Sequence, residues 1–243
     1  MTTLANKTVA VMGGNSGIGL RVAELAAAEK ASLLIIGRNP QSLAEAQQHL
    51  TAKGAPQVQT FQVDAHDHEA LEQLFEKLPA FDHLVSMIGD VMGGGFLNAD
   101  MKVLRHVIES KFFTNVRIGQ LAGKKVRHGG SLVFTSGTGG RAQNASGSYV
   151  GNLGINVLAE ALAVELAPHV RVNAVSPTWT VTPFWRDQPA EQVESTRQHF
   201  AGLIPLQRTA EIDELASTYL FLMKNGFITG QHIAVDGGIM LGS

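Results

Sequence analysis

The stretch GSYVGNLGIN, residues 147–156, contains a residue suited to proton transfer. Tyr149 stands at the start of a predicted helix, where its phenol could act as an acid or a base. A basic partner would be expected one helical turn later, but that position is Leu153. The stretch therefore raises the question of whether the chain has a rearranged catalytic site or a scaffold that has lost its chemistry.

A glycine-rich turn near the start of the chain is suited to binding phosphate. The sequence MGGNSGIG, residues 12–19, follows an apolar run and precedes a helical pattern. Glycines in such a turn let main-chain N–H groups approach a pyrophosphate at the N-terminus of a helix. Because both the preceding strand and the following helix are predicted, the motif indicates a dinucleotide site.

The residue that ends the second apolar run indicates which dinucleotide is bound. A site specific for NAD has an acidic residue about 20 residues after the glycine motif, where it binds the ribose 2′-hydroxyl. Here the run ends with Gly37 and Arg38, and a guanidinium can pair with a 2′-phosphate. The sequence therefore favours NADP(H) over NAD(H). The alternative for Arg38 is an ordinary solvated arginine at the end of a strand.

Seven short apolar runs alternate with helical patterns along the chain. Continuous apolar runs are typical of strands buried on both faces, and their alternation with helices predicts an α/β fold. We expect a single Rossmann-type domain over residues 1–243, with a doubly wound, seven-stranded parallel sheet. The irregular stretch at about 178–205 is predicted to be a substrate lid. The runs are residues 9–12, 33–36, 58–63, 83–88, 131–136, 170–176 and 232–236.

The overall composition excludes several classes of protein. The formal net charge of -2 gives no electrostatic argument for nucleic acid or an anionic membrane as a partner. No apolar run approaches the ~20 residues that span a membrane, and the first residues lack a signal-peptide pattern. There is no cysteine, which excludes disulfides and thiolate metal sites. We therefore expect a cytoplasmic protein.

These motifs, together with others downstream, resemble the classical short-chain dehydrogenase/reductase family over essentially the whole chain. MGGNSGIG resembles TGxxxGIG with Met12 in place of threonine, and RVNAVSPT, residues 171–178, resembles RVNAVSPG. The resemblance implies an oxidoreductase that reduces a ketone or aldehyde by hydride transfer and that forms a homotetramer or dimer. The cofactor-binding residues that it implies are Gly13, Asn15, Ser16, Gly17, Ile18, Gly19, Arg38, Asp64, Ala65, Gly89, Pro177, Thr180 and Thr182.

The resemblance also assigns the proton donor. Ser136 lies 13 residues before Tyr149, the usual gap in the family, so Ser136 would orient the substrate oxygen while Tyr149 donates a proton. The lysine that the family places four residues after the tyrosine is replaced by Leu153. A nearby cation lowers the pKa of a tyrosine by up to about three units. Its loss should therefore harm alcohol oxidation more than NADPH-dependent reduction.

Lys111 is the candidate that would restore the missing charge. The segment VIESKFFTNV, residues 107–116, resembles a helix of the family whose asparagine completes a catalytic tetrad, and Lys111 falls at that asparagine. A second registration would use Asn115 instead. We predict that Lys111 supplies the charge that Leu153 cannot. The alternative is a lysine that points to solvent or to an oligomer interface. The other tyrosine, Tyr219, is predicted to belong to the core.

Two further stretches bear on the substrate and on metals. PTWTVTPFW, residues 177–185, is predicted to line a pocket for a hydrophobic or aromatic substrate, or else to pack the lid or a subunit contact. The histidines and carboxylates of DAHDHE, residues 64–69, match no zinc spacing and are predicted to cap a helix. No metal is expected. The alternative to an enzyme is a catalytically impaired sensor or scaffold that binds a dinucleotide.

Overall fold

A parallel sheet of seven strands organises the chain, as the sequence predicts. The computed structural model describes residues 2–138 and 145–241. The strands lie in the order β3-β2-β1-β4-β5-β6-β7, and every neighbouring pair is parallel. The fifth strand begins earlier than the apolar run at 131–136. The strands are β1 (Thr8–Met12), β2 (Ser32–Gly37), β3 (Val58–Gln62), β4 (Phe81–Ser86), β5 (Val126–Thr135), β6 (Arg171–Pro177) and β7 (His232–Val235).

Helices cover both faces of this sheet, which makes the fold doubly wound. Buried residues of α1, α2 and α8 pack in one core with one face of the strands, and those of α3, α5 and α6 pack in a second core with the other face. The helices are α1 (Gly17–Ala28), α2 (Pro40–Ala52), α3 (His68–Lys77), α4 (Met101–Ile108), α5 (Thr114–Gly123), α6 (Gly147–Glu165), α7 (Ala190–Leu203) and α8 (Ile212–Lys224).

The strand order reverses direction between β1 and β4. From β1 the chain first builds outward through β2 and β3, and it then returns to place β4 on the other side of β1. In open α/β sheets, ligands bind in the crevice at the carboxyl ends of the strands at such a reversal. The fold thus directs the glycine turn after β1 and the segments after β4 and β5 toward one crevice.

The segment predicted to be a lid follows β6 and has structure of its own. It contains a 3-10 turn at Pro183–Trp185 and then α7. A Cβ atom placed on Gly17 would lie 3.5 Å from Pro183 Cδ, so this segment lies against the glycine turn. Movement of the segment as a lid stays a prediction. Within the described part of the chain, no helix combines the length and the apolar character that crossing a membrane requires.

Candidate active site

A cleft of about 1030 Å³ opens at the carboxyl ends of the strands. Every residue that the sequence assigned to the cofactor lines this cleft, from the glycine turn to Thr182. Ser136 and Lys111 line it as well. Among the described residues that form its wall there is no tyrosine, so the structure does not bring Tyr149 to the cleft.

The glycine turn after β1 has the geometry that a pyrophosphate requires. Gly13 and Gly17 have φ values of 75° and 53°, where side chains are rarely tolerated. A Cβ atom on Gly19 would lie only 2.2 Å from the carbonyl oxygen of Gly13. Among the residues that the structure describes, no side chain caps α1 and its first turn has no acidic residue. Its first N–H groups are therefore suited to an anion.

The end of β2 forms the part of the cleft where a 2′-phosphate would be recognised. Asn15 packs over Gly37 and donates from Nδ2 to Ser42 Oγ at 2.6 Å. Arg38 is exposed and lines the cleft, as the sequence predicts. Glu45 of α2 lines the cleft too, which sequence reasoning did not foresee. A 2′-phosphate would therefore meet the negative charge of Glu45 as well as the positive guanidinium of Arg38.

A π-helical turn at Glu109–Phe113 joins α4 to α5 and contains Lys111. Such turns hold one residue more than an α-helical turn and are frequent at functional sites. The side chain of Lys111 is 6% exposed and lies between two glycines. A Cβ atom on Gly89 would be 3.0 Å from Lys111 Cγ, and one on Gly151 would be 2.8 Å from Lys111 Cβ. Larger residues at either position would displace the lysine.

The ammonium group of Lys111 is held by α6. Lys111 Nζ donates to Asn152 Oδ1 at 2.9 Å, and Ser136 Oγ donates to the main-chain carbonyl of Asn152 at 3.0 Å. Burial lowers the pKa of Lys111 from 10.5 to about 8, although the nearby Asp90 carboxylate opposes the change. Asn152 thus joins the cation and the serine that the sequence singled out.

Asn115, the alternative to Lys111, has a structural role. Its amide nitrogen donates to the carbonyl oxygens of Ile88 and Lys111, and its Oδ1 accepts a hydrogen bond from Ser86. It is buried and is not among the residues described as lining the cleft. The structure therefore brings Lys111, and not Asn115, to the site. The alternative in which Lys111 points to solvent is wrong, because the side chain is buried.

The residues of α6 that line the cleft each stand one position earlier in the chain than the sequence predicted. Ser148 and Asn152, four residues apart, line the cleft. Ser148 Oγ accepts a hydrogen bond from the main-chain N–H of Met92 at 2.7 Å. The next residues, Tyr149 and Leu153, are rotated by about 100° around the helix, and Leu153 is 46% exposed. Sequence reasoning missed both Ser148 and Asn152.

Aromatic side chains of the predicted lid segment form part of the wall of the cleft. The ring of Trp179 stacks on Trp185 and on Phe200, with centroid distances of 5.7 and 5.6 Å. These three residues and Phe184 line the cleft. The two tryptophans thus line the cleft and pack this segment together, while their contact with a substrate stays a prediction. Phe200 comes from α7, and nothing in the sequence pattern had marked it.

The remaining predictions concern histidines, carboxylates and the second tyrosine. Asp67 caps α3 by accepting from the N–H of Ala70 at 3.0 Å, as predicted. The described residues contain no group of three or more His, Cys, Asp or Glu that could hold a metal ion. Tyr219 is fully buried in the core, and its hydroxyl lies 2.9 Å from Thr135 Oγ1. Burial raises the pKa of Tyr219 further above its ordinary value.

Comparison with known proteins agrees with this fold and cleft. A family model described as enoyl-(acyl carrier protein) reductase matches residues 13–240. The chain is 30% identical to the short-chain dehydrogenase/reductase malC of Malbranchea aurantiaca (98% of this chain, 96% of malC) and 29% identical to the L-xylulose reductase of Mus musculus (98% of each). A crystal structure of a small-chain dehydrogenase in complex with NADPH superposes with a TM-score of 0.82 at 27% identity, over 98% of this chain and all of the other.

The chain belongs to the short-chain dehydrogenase/reductase family. Members of this family are oxidoreductases that bind a nicotinamide cofactor and act on small molecules. The glycine turn and the uncapped N-terminus of α1 fit the pyrophosphate of such a cofactor, and Ser136 lines the same cleft.

The buried ammonium of Lys111 should leave a signature in the pH dependence of stability. Between about pH 8 and 10.5 the folded lysine is neutral while the unfolded one is still charged, so the free energy of unfolding rises with pH. In that window we expect the wild type to gain up to about 3 kcal/mol relative to Lys111→Met. Urea unfolding at pH 7.5, 9 and 10.5 measures the difference, with the exposed Lys102→Met as control. Parallel curves for wild type and Lys111→Met would contradict the burial argument.

Proposed function

We propose that this protein is an NADPH-dependent oxidoreductase that reduces a ketone or aldehyde to an alcohol. The observation that carries the proposal is a single cleft that joins the phosphate-binding turn, with Arg38 at one end, to Ser136 and the buried Lys111 at the other. The reductase names of relatives and the NADPH complex of a similar structure support both the direction and the cofactor.

The chain's own residues would bind and orient both reactants. The turn at Gly13–Gly19 and Arg38 would hold the phosphates, and Thr182 would contact the nicotinamide end. Bound NADPH supplies the hydride. Ser136 would hydrogen-bond the carbonyl oxygen, and the positive charge of Lys111 would stabilise the negative charge that develops there. Tyr149 as proton donor has no support from the geometry, because it does not reach the described cleft wall.

The aromatic wall favours a hydrophobic or aromatic carbonyl compound as substrate. The flat apolar rings that line the cleft are those of Trp179, Phe184, Trp185 and Phe200. Such surfaces bind rings by stacking and by burial of apolar area. A strongly polar or phosphorylated substrate would find few partners on this wall.

A dinucleotide-binding sensor or scaffold without turnover is the second candidate. The observation in its favour is that Ser148 and Asn152 occupy the cleft-facing positions of α6, so that no tyrosine is among the residues described there. Both candidates would bind the cofactor, so cofactor affinity does not distinguish them. Turnover of NADPH does distinguish them, because only the oxidoreductase would consume it.

We expect purified protein to consume NADPH with at least one compound in a panel of aromatic and aliphatic ketones and aldehydes. Ser136→Ala should lower kcat/KM by roughly 100-fold, since it removes the Ser136 hydroxyl, which donates to the carbonyl oxygen of Asn152 in this structure and would turn to donate to the substrate oxygen. Gly19→Ala should abolish NADPH binding, because its Cβ atom would clash with the carbonyl of Gly13. NADPH binding without consumption across the whole panel would instead support the sensor or scaffold.

The choice between cofactors depends on two opposite charges near the end of β2. Arg38→Ala should weaken NADPH binding by roughly tenfold and leave NADH binding nearly unchanged, because only NADPH carries the 2′-phosphate. Glu45→Gln should strengthen NADPH binding by a few-fold. Fluorescence titration with each cofactor measures both changes, and the exposed Arg105→Ala on α4 is the control. Equal losses for NADPH and NADH in Arg38→Ala would remove the argument for an NADP(H) preference.

We also propose that the protein forms a homo-oligomer, a tetramer or a dimer, through the outer face of α6. Apolar residues recur there at helical spacing and are exposed, and a second copy of the chain would bury them. The exposed residues of this face are Val150, Leu153, Val157 and Val164.

A location in the cytoplasm stays a prediction from the cysteine-free sequence.

Val157→Glu should convert the oligomer to a smaller species, because it places a charge at the centre of this face. Light scattering coupled to size-exclusion chromatography gives the mass. Leu97→Glu, at a fully exposed position outside the face, should leave the mass unchanged. A wild type that is monomeric at micromolar concentration would exclude the interface.

A further inference from the structure

We infer that Lys111 Nζ is the group that donates the proton to the substrate oxygen, with Ser136 and Asn152 orienting the transfer. This inference rests on the proposed reduction of a carbonyl compound. It goes further because the lysine becomes the acid itself and not only a positive charge beside another acid.

The position of Lys111 is fixed from three sides. The π-helical turn brings the residue to the cleft, and the glycines at 89 and 151 leave room only for its aliphatic chain. Asn152 Oδ1 then accepts one of the three N–H bonds of the ammonium. A hydrogen-bonded ammonium group with further N–H bonds, 6% exposed and on the wall of the cleft, is placed to bind a ligand oxygen.

The other hydroxyl groups near the site are poorly suited to the task. Ser136 and Ser148 line the cleft, but a serine hydroxyl is too weak an acid to be the final source of a proton at neutral pH. Tyr219 is buried in the core with its pKa raised, and Tyr149 is not among the residues described in the cleft wall. Lys111 therefore takes the role by its position and by its chemistry.

Burial and the charged groups that face Lys111 together set the pKa of its ammonium group. From α6, Gly151 and Asn152 contact it, and neither titrates. Beyond β4, Asp90 favours the charged lysine, and burial opposes it more strongly, so that the pKa falls to about 8. That value is close to the pH at which an acid catalyst is most effective. Other titratable groups lie around Lys111 and Asp90. The Nε2 atoms of His106 and His66 lie 2.7 and 3.8 Å from Asp90 Oδ2. Glu109 lies on the same π-helical turn as Lys111 and pairs with His68 at 3.3 Å.

The step balances with NADPH as the reductant. A hydride adds to the carbonyl carbon while the carbon–oxygen π bond breaks, and the oxygen takes the proton from the Nζ–H bond. The products are the alcohol, oxidised cofactor and a neutral lysine amine. Lys111 then regains its proton from water. Because the acid must begin protonated, kcat/KM for reduction should fall as pH rises through the pKa of Lys111.

The decisive substitution keeps the charge and removes the acidity. Arg38 and other arginines stay protonated at every accessible pH, and Lys111→Arg would do the same. If Lys111 donates the proton, Lys111→Arg and Lys111→Met should both lower kcat/KM at pH 7 by roughly 100-fold or more. If only a positive charge is needed, Lys111→Arg should keep most of the activity, and the inference is overturned. Circular dichroism and NADPH affinity establish that each variant is folded.

A second variant tests the same idea without removing the lysine. Asn152→Asp places a carboxylate against Nζ and should raise the pKa of Lys111 by about one unit or more. The high-pH limb of kcat/KM should move upward by the same amount. Tyr149→Phe should leave the limb in place, and a loss of activity in Tyr149→Phe alone would make Tyr149 the donor. Movement of the limb in His66→Gln and not in Asn152→Asp would assign the donor to His66.

An NMR titration reports on the lysine independently of turnover. In protein labelled with ¹⁵N-lysine and bound to NADP⁺, the resonance absent from Lys111→Met belongs to Lys111 Nζ. We expect a titration midpoint near pH 8 that rises in Asn152→Asp. A midpoint near the ordinary 10.5 would overturn the inference even if the enzyme reduces ketones. A midpoint near pH 8 without any NADPH consumption would instead show that the proposed reduction fails.

Discussion

The burial of one ammonium group on the wall of the cleft is the constraint on which this site depends. Removing Lys111 from water destabilises its charged form, and the protein offsets this in part with Asn152 and Asp90. The elements around it are built to this requirement. A π-helical turn places the lysine, and Gly89 and Gly151 admit its side chain. Helix α6 thereby contributes Asn152 as a hydrogen-bond acceptor for the lysine, where the sequence had suggested the phenol of Tyr149.

The two ends of the cleft would recognise their proposed ligands in different ways. The pyrophosphate of the proposed cofactor would be bound by main-chain groups, since the N–H groups of α1 and the glycine turn present fixed dipoles that cost no side-chain entropy. The proposed substrate end would use side chains instead, including the stacked rings of Trp179 and Phe200. The first end suits a conserved ligand shape, the pyrophosphate, and the second can vary with the substrate without disturbing the sheet.

The sequence predicts the fold and the position of the glycine turn well because both follow from local patterns. Seven apolar runs became seven strands, and the glycine motif lies where β1 meets α1. Local patterns did not predict which residues of α6 face the cleft, because the rotation of a helix about its axis depends on what packs against it. Gly147, Gly151 and Gly154 bring this helix close to Met92, Lys111 and Phe112, and that contact turns Ser148 inward in place of Tyr149. Glu45 and Phe200 come from helices whose patterns carry no mark of the cleft.

The π-helical turn at Glu109–Phe113 also bears on how this site could arise or vanish. Such a turn holds one residue more than the α-helical turn it replaces, so deletion of a single codon within it would restore a continuous helix from α4 to α5. The residues on one side would then rotate by about 100° relative to the other, and the lysine would leave the cleft. The sheet, the glycine turn and the cofactor contacts would survive. In this chain, the proposed catalysis and the proposed cofactor binding would therefore be separable by one genetic event.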